Sequence, residues 1–139
     1  MGFKCNRLVN QWLLYTGDIT IQNDTKVWNH ATNDWKSSNW KPIAIKPDAT
    51  NCIIVKTPVN LFTEDGIGKN LVIKPGGTLT IKTGNSLTIV DDITNETTAS
   101  SFVVESDANL KQNNDAAVNS ANLTVRRNAN LKRLEYNYW

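Results

Sequence analysis

A single histidine, a single methionine and two cysteines are all that this chain of 139 residues holds of the side chains that most readily ligate soft or borderline metals. A Cys/His metal cluster is thereby almost excluded. His30 is the one side chain that titrates near neutral pH, and no Ser or Cys lies in a recognisable catalytic context around it. A nucleophilic triad therefore has little support. Charge of one sign is also missing: 15 Lys+Arg face 13 Asp+Glu, a formal net charge of +2. That balance is too weak to point to nucleic acid or to a membrane surface. No apolar run approaches the ~20 residues that span a bilayer. The N-terminus shows no recognisable export signal, because polar residues break up the stretch from Leu8 to Tyr15. Two readings follow: a cytoplasmic protein, or a secreted one whose signal has been removed.

What the chain does have is 19 Asn and 15 Thr, alongside few long helix formers. That composition favours strands and turns over helix. A nine-residue template recurs through the second half: apolar, any, β-branched, two further residues, a turn residue, two more, apolar. It runs from Leu71 to Leu79, from Leu79 to Leu87, from Phe102 to Leu110 and from Leu123 to Leu131, with a looser copy from Ile53 to Leu61 that has Pro58 at the turn position. Apolar residues two apart lie on one face of a strand. The sixth position is Gly76, Gly84, Asp107 or Asn128, residue types that tolerate a left-handed turn. Each unit is thus a strand, a corner and the start of a second strand, and it cannot bury its apolar face alone. The starts at Leu79, Phe102 and Leu123 lie 23 and 21 residues apart, which fits one coil of a parallel β-solenoid. An antiparallel sandwich would explain the alternation but not the recurring turn position.

The template predicts Leu71, Ile73, Leu79, Ile81, Leu87, Ile89, Phe102, Val104, Leu110, Leu123, Val125 and Leu131 facing inward. The polar stretches 91–100 and 111–120 are expected to form the remaining side of each coil and its loops. Residues 23–52 show no helical or strand period. Trp28, Trp35 and Trp40 stand there among polar residues, as expected of a loop-rich cap over the open end of the core. Residues 1–52 are accordingly read as an N-terminal segment and cap, and residues 53–139 as the solenoid.

Several of these segments resemble a known family. Thr25-Lys26-Val27-Trp28-Asn29, Asp34-Trp35, Asn39-Trp40 and Cys52-Ile53-Ile54-Val55 are similar to the opening of large secreted surface proteins of Bacteroidetes-type bacteria, in which a "TWN…W" segment precedes β-helical repeats. Asn70-Leu71-Val72-Ile73, Gly77-Thr78-Leu79-Thr80-Ile81 and Gly84-Asn85-Ser86-Leu87-Thr88-Ile89 match the repeats, and Leu131-Lys132-Arg133-Leu134-Glu135-Tyr136-Asn137-Tyr138-Trp139 matches a tyrosine–tryptophan ending. The resemblance covers residues 25–139. It implies export across the outer membrane, commonly by the type IX route, and display on or release from the cell. Such proteins continue into further repeats and a sorting domain, so the chain reads as a piece of a longer one.

Candidate chemistry is sparse. Asp91 and Asp92 are adjacent and would point to opposite faces of a strand, unlike a glycosidase pair across a groove. Glu64 and Asp65 are read as lying in a Gly-rich loop with Gly66 and Gly68, but the alternating Asp/Asn spacing of a calcium loop is absent. Gly66-Ile67-Gly68-Lys69 lacks the spacer and the Ser/Thr of a phosphate loop. Arg126, Arg127, Lys132 and Arg133 form a basic cluster that could meet an acidic polysaccharide or simply be a solvated face. Trp28, Trp35 and Trp40 could stack on sugar rings or plug the core. Cys5 and Cys52 could bridge the N-terminal segment to the first coil, or Cys52 could be a small buried apolar residue.

The expectation is an all-β chain, a short right-handed parallel β-solenoid with a loop-rich N-terminal cap. It would serve as a non-catalytic structural or adhesive module, extracellular or at the cell surface, without cofactor or metal. The alternative is a carbohydrate-binding or polysaccharide-acting β-helix. Expected partners are a surface polysaccharide or another protein, with no nucleic acid and no membrane insertion. End-to-end self-association is also expected, because Leu131, Leu134, Tyr136, Tyr138 and Trp139 would have to cover the last coil.

Overall fold

The computed structural model describes residues 25–28, 35, 40–41, 46–61 and 63–129. Within them the chain is almost wholly strand and turn, with one short 3-10 turn at Ala99–Ser101. The first complete coil comprises β3 (Cys52–Val55), β4 (Pro58–Leu61) and β5 (Gly66–Gly68). The second comprises β6 (Asn70–Ile73), β7 (Thr78–Ile81) and β8 (Ser86–Ile89). The third comprises β9 (Ile93–Asn95), β10 (Phe102–Val104) and β11 (Asn109–Gln112). A fourth begins with a bridge from Ser120 to Thr94 and with β12 (Thr124–Val125). The fold is a parallel β-solenoid of three sides: β3, β6 and β9 stack on side A, β4, β7, β10 and β12 on side B, β5, β8 and β11 on side C.

The register follows the template. Leu79 pairs with Phe102, and Val103 with Thr124, so the expected 23- and 21-residue steps are single coils. Each nine-residue unit is one corner of the triangle, leading from side A to B or from B to C. Gly76, Gly84 and Asp107 turn these corners with φ of +91°, +83° and +59°. Such values cost an ordinary L-residue about 1–2 kcal/mol, which is why Gly or Asp stands at these three corners. Asn128, expected to turn in the same way, does not adopt a left-handed backbone, and Pro58 of the looser copy instead opens β4. The polar stretches 91–100 and 111–120 return the chain to side A, through β9 and the Ser120 bridge.

One continuous core fills the triangle. Ile53, Val55, Leu71, Ile73 and Ile93 come from side A, Val59, Leu61, Leu79, Ile81, Phe102 and Val104 from side B, and Leu87 and Ile89 from side C. Leu110 and Leu123 are half-buried against it. Val125 departs from the expected pattern. Its pairing with Val104 gives it an inward register, yet it is 51% exposed. It sits on the terminal strand of side B, where no further described strand is stacked over it. Leu131 lies outside the described residues.

Residues 23–52, read above as lacking a strand period, contribute two short strands. β1 (Thr25–Trp28) stacks parallel on β3, with Trp28 beside Val55, and β2 (Trp40–Lys41) pairs antiparallel with β1. Side A is therefore extended by two strands beyond the first coil. Gly66-Ile67-Gly68 also differs from the loop expected there, because it forms β5. Its glycines pair with the inward Leu87 and Ile89. A Cβ at Gly66 would stand 2.5 Å from Leu61 Cδ2 and 3.4 Å from Trp35 Cζ2, and one at Gly68 2.2 Å from Ile53 Cδ1. Glycine is required because large neighbours already occupy the interior of this coil.

Candidate functional site

The three tryptophans converge on one end of the core. Trp28 is carried inward by β1, and Trp40 is placed beside it by the antiparallel pairing of β2. Trp35 is held by its backbone N–H, which donates to the Asn60 carbonyl at 3.0 Å. The Trp28 and Trp40 rings meet edge to face at 5.2 Å between centroids, and Trp35 and Trp40 likewise at 4.5 Å. All three are 0% exposed and belong to the same cluster as the coil interiors. As placed, none presents a ring face to solvent, so none can stack on a sugar. Their geometry is that of a plug closing an apolar cross-section.

The plug is unevenly satisfied. Trp28 Nε1–H donates to the Pro58 carbonyl at 3.1 Å. The Nε1–H groups of Trp35 and Trp40 are buried without an acceptor. Such a group costs roughly 1–3 kcal/mol. Trp35 and Trp40 are thus retained here for apolar area and shape rather than for hydrogen bonding.

The remaining candidate residues are engaged in holding coils together. Glu64 Oε2 accepts from Lys46 Nζ at 2.6 Å, and Asp65 Oδ1 from the Ser86 backbone N–H at 2.6 Å. Asp91 and Asp92 lie in the turn between β8 and β9 rather than on a strand. Asp91 Oδ1 accepts from Asn114 Nδ2 at 3.1 Å and its carbonyl from Gln112 Nε2, while Asp92 Oδ1 accepts from the Val118 N–H at 2.8 Å. Among the described residues, no three His, Cys, Asp or Glu are grouped so that they could hold a metal ion. No described helix is long and apolar enough to cross a membrane.

Arg126 and Arg127 are exposed, and Arg127 Nη1 donates to the carbonyls of Glu105 and Arg126 at 3.1 and 3.0 Å. Glu105 also accepts from Lys82 Nζ at 2.7 Å, one coil below, and this bond holds its carboxyl below the ordinary glutamate range. A matching pair, Lys74 Nζ to Glu96 Oε1 at 2.6 Å, sits at the preceding corner. Cys52 is half-buried on β3, and its Sγ accepts from Asn70 Nδ2 at 3.5 Å. His30, Cys5, Lys132, Arg133, Leu134, Tyr136, Tyr138 and Trp139 lie outside the described residues, and so does the proposed Cys5–Cys52 pairing.

Asn95 escaped the pattern reading. It occupies an inward position on β9, paired with Ile73. Its Nδ2 donates to the carbonyls of Thr98 and Asn122 at 2.9 and 2.8 Å, and its Oδ1 accepts from the Thr97 N–H and Oγ1 at 3.0 and 2.7 Å. Buried asparagine is tolerated only when so satisfied. The signal available in the sequence was Asn95-Glu96-Thr97, a spacing at which an asparagine side chain caps its own backbone two residues on.

No curated protein and no solved structure matches the chain. One family model does, over residues 27–139, a span that takes in the tryptophan plug and every coil. The chain belongs to the family described as a domain of unknown function (DUF8693).

Proposed function

We propose that this chain is a non-catalytic structural or adhesive β-solenoid module of an extracellular or surface-displayed bacterial protein. The observation that carries the reading is how the polar side chains are used. At each corner and return they tie one coil to the next, as in Lys74–Glu96, Lys82–Glu105, Asn114–Asp91 and Asn95–Asn122. A quasi-one-dimensional stack with each coil bound to its neighbours makes a stiff spacer with long, repetitive faces. Such faces suit presentation or attachment. The resemblance to exported Bacteroidetes-type surface proteins supports the extracellular placement and the type IX route.

A polysaccharide or another protein is the fitting partner, met on the solvent-facing sides of the coils. The carbohydrate-binding alternative must be carried by residues other than the three indoles, which lie inside the core. Placement is tested on intact cells of a bacterium carrying the gene. Protease added outside should cleave the parent protein at an exposed point such as Arg126–Arg127, without prior permeabilisation. Cleavage seen only after the envelope is opened would overturn the extracellular reading.

A further inference from the structure

Lys26 holds a position that lysine rarely takes. Its backbone pairs in register with Ile53 of β3, whose side chain is wholly inside the core, and Lys26 itself is 4% exposed. Two residues on, along the same face of β1, stands the buried Trp28 of the plug. An ammonium in such a place loses its hydration, so lysine is almost never buried to this degree without a partner.

A second polar residue is buried on the same face, one strand away. Asn51 is 5% exposed and lies two residues before Ile53, which puts it on the inward side with Lys26. Parallel strands about 4.8 Å apart, with a rise of about 3.3 Å per residue, place the two Cα atoms about 8 Å apart. The four-carbon stem of lysine and the short carboxamide together span that gap. The turn at 48–51 fixes the carboxamide. Asn51 N–H donates to the Asp48 carbonyl at 3.1 Å, and Asn51 Oδ1 accepts from the Asp48 N–H at 3.0 Å. The second bond polarises the Asn51 carbonyl and favours attack at its carbon.

Asp48 brings a carboxylate to the same turn. The Thr50 hydroxyl and N–H donate to its Oδ1 at 2.6 and 2.8 Å. These bonds hold its carboxyl below the ordinary aspartate range, and the charge of Lys26 acts in the same direction. Asp48 is exposed, so a proton that it accepts can pass on to water.

We propose that Lys26 and Asn51 are the partners of an intramolecular isopeptide bond that ties β1 to the first coil. Asp48 accepts one proton from the Lys26 ammonium and releases it to water. The neutral Nζ attacks Asn51 Cγ, and its second proton passes to Nδ2. The Nζ–Cγ bond forms, the Cγ–Nδ2 bond breaks and ammonia leaves. No oxidant, reductant or cofactor enters. The product is a neutral amide where a buried ammonium stood, which removes the charge that the core disfavours. Asn51 is the acceptor rather than Asp48, because its carboxamide is buried on the inward face while the Asp48 carboxylate is exposed and held by Thr50. The bond fastens the tryptophan plug to the coil that it closes, and it does not depend on where the protein is displayed.

The test is the intact mass of the purified, denatured full chain, followed by fragmentation of its peptides. The parent should be lighter than its sequence by about 17 Da, the mass of one ammonia, with a branched peptide joining Lys26 to Asn51. Lys26→Arg and Asn51→Ala should each keep their full sequence mass. A parent at its full sequence mass overturns the proposal. So does a loss of about 18 Da with the branch at Asp48, the sign of a bond made with loss of water. Ammonia still lost from Lys26→Arg would place the loss at a cyclised asparagine and overturn it equally. Should either variant fail to fold, the parent's mass and branched peptide decide alone.

Discussion

Replacing Trp40 with alanine is expected to destabilise the protein by about 3–5 kcal/mol, the cost of emptying a fully buried large aromatic site. Trp40 is the middle ring of the plug, packed edge to face on Trp28 and on Trp35. Its loss therefore opens a cavity between the other two and over the first coil. For a domain whose net stability is of order 5–15 kcal/mol, that is a large fraction of the whole. Phenylalanine should behave quite differently at the three sites. Trp40 Nε1–H has no acceptor, so Trp40→Phe forfeits ring area but no hydrogen bond. Trp28→Phe additionally removes the donor to the Pro58 carbonyl, which adds about 1 kcal/mol. Urea titration should rank the costs Trp40→Ala, then Trp28→Phe, then Trp40→Phe. Equal stability of Trp40→Ala and the parent would mean that the indoles do not close the core.

Gly77→Ala should be the most damaging of the small substitutions at the corners. A Cβ there would stand 2.4 Å from the Val55 carbonyl oxygen, 2.9 Å from its carbon and 3.1 Å from the Lys74 oxygen. These are backbone atoms and cannot swing aside. The Val55 carbonyl also accepts the Lys74 N–H at 2.9 Å, a bond joining the first and second coils. Overpacking of this kind costs about 1–3 kcal/mol, and loss of the bond adds to it. Gly84→Ala is the control. Nothing lies within 4 Å of its Cβ position, and only its φ of +83° opposes a side chain, at about 1–2 kcal/mol. Amide exchange separates the two effects: Gly77→Ala should speed exchange at Lys74, and Gly84→Ala should leave it unchanged.

The coil was legible in the sequence because its constraints are local and repeated. An apolar pair two residues apart, a left-handed corner and a coil-length step recur often enough to specify strand, turn and stacking register together. The plug was legible in kind but not in detail. β1 is only four residues long and β2 only two, too short to reveal a period, and the inward side of β1 carries Lys26 beside Trp28. Gly66 and Gly68 misled for a related reason, since inward glycines leave no apolar signature and only the outward Ile67 remains visible. Asn95 was missed because, although its cap on Thr97 and Thr98 is local, its inward place also rests on the Asn122 carbonyl brought from the next coil. Val125 failed the pattern because position in the stack, rather than alternation, governs exposure on a terminal strand.

The non-catalytic, structural role is tested most directly by challenging the full chain with a broad panel of polysaccharides, reading both binding on a glycan array and product release in solution. Trp35→Phe and Trp40→Phe are carried alongside, with thermal unfolding recorded for each. The account predicts no turnover and no glycan whose recognition depends on either indole. A polysaccharide that is cleaved would contradict it. So would a glycan bound specifically by the parent and lost in Trp35→Phe or Trp40→Phe while unfolding stays cooperative.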